Sequence, residues 1–75
     1  MKATIYYEQN GVTFPALNNK EIQGASVNGL KRSFINSVSK ARGTLPLWFS
    51  PGTVKATAWM PGASCPLLSC EIVLY

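Results

Sequence analysis

The chain has 75 residues, 47% of them hydrophobic, with seven Lys and Arg against three Glu and no Asp, a net charge of +4 and no histidine. At that length one domain, residues 1–75, is expected, with a core that buries only about 60% of the unfolded surface. Without histidine the commonest general base, the Ser–His and Cys–His pairs and most zinc sites are gone, and three glutamates make poor hard-metal clusters; no enzyme, metal or cofactor is expected.

No apolar run approaches the roughly 18 residues that span a bilayer, and Glu8 interrupts the opening stretch too early for a signal peptide. A cytoplasmic protein without a membrane partner is the expectation. Cys65 and Cys70 bracket Pro66-Leu67-Leu68-Ser69; in an extended chain their Cα atoms lie about 16 Å apart, beyond disulfide reach. Reduced thiols are expected, although a turn at Pro66 would let them pair.

Ala3 to Glu8 alternates, with Ala3, Ile5 and Tyr7 on one face and Thr4, Tyr6 and Glu8 on the other, the periodicity of a strand. Asn10-Gly11 supplies a turn, and Val12 to Leu17 can return as an antiparallel partner, although Pro15 confines it to an edge or an irregular segment. After a break at Asn18-Asn19, Lys20 to Ala25 reads as a short strand or an extended lead. Ser26 to Arg42 is the one helical pattern: Val27, Leu30, Phe34, Val38 and Ala41 fall within a stripe about 80° wide, with Ile35 at its edge. Ser26 can cap the first turn, and Gly43 can stop the helix in the left-handed conformation.

Thr44 to Phe49 alternates again, placing Leu45, Leu47 and Phe49 opposite Pro46 and Trp48. Pro51-Gly52 and Pro61-Gly62 each carry the central pair of a type II turn. Between them Thr53 to Met60 alternates Val54, Ala56, Ala58 and Met60 against Thr53, Lys55, Thr57 and Trp59. Leu67 to Tyr75 closes the chain as a strand. The fold expected is α+β, a two-layer sandwich of one helix on a mostly antiparallel sheet of four or five strands, in the order β-β-α-β-β-β.

Two constellations bear on function. Arg32, Asn36 and Lys40 recur at i, i+4 and i+8, a row with about 6 Å between neighbours, with Lys31 and Arg42 on its flank. Such a row suits phosphates or acidic side chains, and it also suits plain solvation of a helix face. The second is the sheet face turned from the helix, expected to carry Tyr6, Trp48, Trp59, Val73 and Tyr75 among Thr4, Lys55 and Thr57. Two uncovered tryptophans point to a partner surface or to a homodimer; a strand phase shifted by one, or a covering loop from residues 9–25, would bury them instead. A carboxylate pair of Glu8 and Glu71 would need neighbouring strands.

The layout of an opening strand at Met1-Lys2-Ala3, a short lead into one basic helix and a compact set of strands resembles small phage or mobile-element accessory proteins. Among these it is similar to some anti-CRISPR proteins. The resemblance implies binding that blocks a nucleic-acid path of a ribonucleoprotein, without catalysis. One departure matters: many of those proteins are acidic nucleic-acid mimics, and a +4 chain without aspartate cannot be one. The function expected is a stoichiometric inhibitor of a protein or nucleoprotein complex, with direct nucleic-acid binding through the helix, or a homodimer through the sheet face, as alternatives.

Overall fold

The computed structural model describes residues 1–15 and 21–75. The expected break at Asn18-Asn19, with Ala16, Leu17 and Lys20 beside it, lies outside the described residues. The elements are β1 (Lys2–Gln9), β2 (Val12–Pro15), β3 (Glu21–Gln23), α1 (Val27–Ala41), a 3-10 turn (Leu45–Leu47), β4 (Gly52–Trp59) and β5 (Leu68–Leu74). All pairings are antiparallel, in the order β2-β1-β4-β5, with β3 also on β1. Pro15 lies opposite Tyr6 and Glu21 opposite Thr4, so β2 and β3 occupy the same edge of β1 in tandem. The edge position accommodates Pro15, which has no N–H to give to a second neighbour.

Period-two alternation decides which side of each strand meets the helix. Ala3, Ile5 and Tyr7 from β1, Ile22 from β3, Val54, Ala56 and Ala58 from β4, and Ile72 and Leu74 from β5 are buried with Leu30, Phe34 and Val38 of α1. The small alanines of β4 suit a strand that lies beneath a helix. Val27 departs from expectation and stays about half exposed; as the first helical residue it has no preceding turn to close it in. Ile35, at the edge of the stripe, is exposed to the same degree.

Helix boundaries follow from local chemistry. The Ser26 hydroxyl accepts from the Gly29 N–H at 3.3 Å, satisfying one of the orphan donors of the first turn. Ser26→Ala is expected to cost about 1 kcal/mol, read as a lower urea midpoint at unchanged slope. At the other end the expected left-handed Gly43 is not found among the glycines of positive φ. Thr44 ends the helix instead: its hydroxyl and its N–H both donate to the Ala41 carbonyl, at 2.8 and 2.9 Å.

Thr44 to Phe49 is the main correction to the expected layout. It is a 3-10 turn, so three strands precede the helix and two follow it. Pro46 sits in the first turn, where its missing N–H costs nothing. The alternation of Leu45, Leu47 and Phe49 is broken accordingly: Leu45 is buried and Phe49 half-buried, while Leu47 is 81% exposed.

The turns behave as their residues dictate, with one exception. Asn10 and Gly11 have φ of 53° and 79°, the paired positive values of a type I′ hairpin. Gly62 has φ of 76°, and the Ala63 N–H closes onto the Met60 carbonyl at 3.1 Å, as in a type II turn. Gly52, at φ of 133°, opens β4 rather than forming the expected type II reversal.

Candidate binding surfaces

Lys31, Arg32, Asn36, Lys40 and Arg42 are all exposed, as the helix phase requires. No acid lies in the first turn of α1, and among the described residues none of its cations forms an ion pair; the pair that does form, Lys2 with Glu21 at 3.9 Å, is on the sheet edge. The cations do not make one patch. Lys31, Arg32 and Asn36 line a shallow depression with Asn28 and Ile35. Lys40 lines a different hollow, on the β2 side. Arg42 faces β5, close enough to the Cys70 thiol to favour its ionised form, although burial outweighs this and pushes the thiol up.

The hollow beside Lys40 is a groove of about 440 Å³ between the C-terminal half of α1, β2 and the 3-10 turn, within the size range of small-ligand and anchor pockets. Phe49 builds its floor, meeting Tyr7 edge-on at 6.3 Å and 66° and Phe14 at 5.5 Å and 78°. The segment is tethered again at Ser50, whose N–H donates to Gln9 Oε1 at 3.0 Å and whose carbonyl accepts from Gln9 Nε2 at 2.7 Å. Burial pushes the Tyr7 hydroxyl above its ordinary value, with Cys70 adding to the effect. Trp48 stands at the rim, 63% exposed. It therefore belongs to the helix side of the molecule and not to the open sheet face where strand alternation put it.

The open face does carry Tyr6 and Trp59, as the strand phase predicts. The Trp59 indole N–H donates to the Thr57 hydroxyl at 3.0 Å, and that hydroxyl reaches the Tyr6 carbonyl at 3.5 Å. Both rings are partly buried, each less exposed than Trp48, and Thr57 is buried, so the pair is partly shielded by its own strand neighbours. Val73 is on this face and exposed, whereas Tyr75 lies beyond β5. Glu8, Lys55 and Glu71 stand in register across β1, β4 and β5. The two carboxylates are thus two strand spacings apart, about 10 Å, with a lysine between them. Glu8 and Glu71 do not form an acid–base pair, and among the described residues the face they flank carries more acid than base.

Both cysteines are free, Cys65 exposed and Cys70 half-buried. A thiol raised by burial is a weak nucleophile. Among the described residues no three His, Cys, Asp or Glu side chains cluster as metal ligands, and no helix is long and apolar enough to cross a membrane.

The chain matches no family model, and comparison with curated proteins and with solved structures brings out no significant match. The chemistry of the surfaces is what bears on function. Phe14 and Phe49, which line the groove, and Gln9, which tethers Ser50 beside Phe49, are not legible as site residues. Phe14 was readable in principle, since Val12-Thr13-Phe14 alternates, but Phe49 and Gln9 act through contacts made only once the 3-10 turn exists.

Proposed function

We propose that this chain is a non-catalytic binding protein that covers, at a fixed stoichiometry, a surface of a larger protein or nucleoprotein assembly in the cytoplasm. The observation that carries the reading is the shared groove of Lys40 and Trp48, a cation and an exposed indole on one side of the molecule, with Arg32 and Asn36 exposed further along the same helix. Tyr6 and Trp59 lie on the opposite side of the sheet and take no part in this contact. Unpaired basic charge speeds encounter with an acidic or phosphate-lined partner, while a desolvated aromatic holds it. The likeness to anti-CRISPR proteins points the same way, to occlusion rather than chemistry.

Affinity capture from the native cell lysate, with and without nuclease, tests the reading. A protein retained at fixed ratio after nuclease treatment, and lost about tenfold or more from an Arg32→Glu/Lys40→Glu variant, is the expected result. Direct nucleic-acid binding gives a different one: capture that vanishes with nuclease, and an affinity whose logarithmic salt slope nears −3.6 for four phosphate contacts on duplex DNA. Retention of nothing but a second copy of the chain would support the homodimer.

A further inference from the structure

The geometry points to the groove between α1, β2 and the 3-10 turn as the seat of one large apolar side chain from an acidic peptide segment of the partner. This rests on the function proposed above and adds to it the class of partner and the point of anchorage. Among the described residues the lining is apolar apart from Lys40, the hydroxyls of Tyr7, Ser37 and Thr44 and the Trp48 indole N–H, and no carboxylate is part of it. Among the described residues Lys40 is therefore the one charged side chain on the wall, and an occupant with negative charge beside its apolar anchor satisfies both features at once.

Reach favours a peptide over a small apolar acid. Arg32 and Lys40 lie eight residues apart on the helix, about 12 Å at the α-helical rise, with the neutral Asn36 between them. A single carboxylate head cannot meet both, whereas a segment of several residues can. The apolar contact also runs past the groove: Leu47 beside Trp48, and Val12 and Phe14 on the free edge of β2, are 81%, 51% and 47% exposed. The groove itself disfavours a nucleic-acid strand, because among its described lining residues Lys40 is the one cation and most phosphates of a polyanion would be left unmatched there. Anchoring by one aromatic or leucine side chain in a pocket is how protein interfaces concentrate their energy.

The test uses the full chain labelled with ¹⁵N and three probes: a synthetic dodecapeptide of alternating Asp and Ser with one central Phe, the same peptide with Ala at the centre, and a uridylate dodecamer. The Phe peptide is expected to shift the amides of Ser37, Lys40, Ala41 and Thr44 and to bind about tenfold or more tightly than the Ala peptide. Trp48→Ala, Phe14→Ala and Lys40→Glu should each weaken it about tenfold, and Trp59→Phe should not. Trp48 is largely exposed, so its variant keeps the fold, which a thermal melt verifies. No shift at millimolar peptide, equal binding of the Ala peptide, shifts centred on Trp59, or tighter binding of the uridylate would each overturn the proposal. If Trp48→Ala and Phe14→Ala leave capture of the native partner intact while Arg32→Glu/Lys40→Glu abolishes it, the groove is not the anchor and the proposed function still stands; if both sets leave capture intact, both fall.

Discussion

Phe34→Ala is expected to lower the unfolding free energy by about 3–5 kcal/mol. Phe34 is among the largest fully buried side chains, together with Ile5, Leu30, Ile72 and Val54, and it belongs to the cluster that joins helix and sheet. Truncation removes its transfer energy and leaves a cavity in that cluster, which the surrounding side chains relax into only in part. For so small a chain, whose total stability is on the order of 5–15 kcal/mol, that is much of the whole. Equilibrium urea unfolding followed by circular dichroism measures it. A folded variant with an unshifted midpoint would mean the stripe is not the core.

A second large effect is expected at Gly24, and it comes with its own control. Gly24 precedes the helix and lies against its first turn, with its backbone paired to that of Met1 through two hydrogen bonds of 2.8 and 3.0 Å. A Cβ added there would lie 2.8 Å from the Gly29 carbonyl carbon and 2.9 Å from Leu30 Cα, closer than real contacts allow and against backbone that cannot rotate away. Gly24→Ala must therefore move either the helix or the edge strand, at a cost of at least about 2 kcal/mol. Gly29 faces it from the other side, but a Cβ at Gly29 meets Gly24 Cα at 3.7 Å, an ordinary contact. Gly29→Ala should thus stabilise by roughly 0.5–1 kcal/mol through helix propensity. Melting curves of the two variants should move in opposite directions; a shared direction would show that the close approach is not what limits Gly24.

The helix, its N-cap and the alternation of the three long strands could be read from the sequence because each rests on local periodicity and on residues acting within a few positions of one another. Leu30, Phe34 and Val38 are buried, and Tyr6 and Trp59 face away from the helix, as their phases require. Thr44 to Phe49 misled because a Leu-Pro-Leu-Trp-Phe run satisfies a period of two and a 3-10 turn alike. The deciding contacts, Phe49 against Tyr7 and Phe14 and Ser50 against Gln9, are long-range. That one segment carried Trp48 from the sheet face to the helix side. The basic row was legible as a row, but not its division among three neighbourhoods, since Lys40 and Arg42 are only two residues apart and yet face β2 and β5 respectively.

In the function proposed above, charge on α1 and the indole at the groove serve one contact by different means. The most direct measurement is the association and dissociation rates of the captured partner on immobilised chain, across a series of salt concentrations. Arg32→Glu/Lys40→Glu should slow association about tenfold or more and flatten its salt dependence, whereas Trp48→Ala should leave association nearly unchanged and speed dissociation by a similar factor. Folded variants that both keep wild-type rates would contradict it, leaving the basic row a solvated helix face and Trp48 without a part in binding.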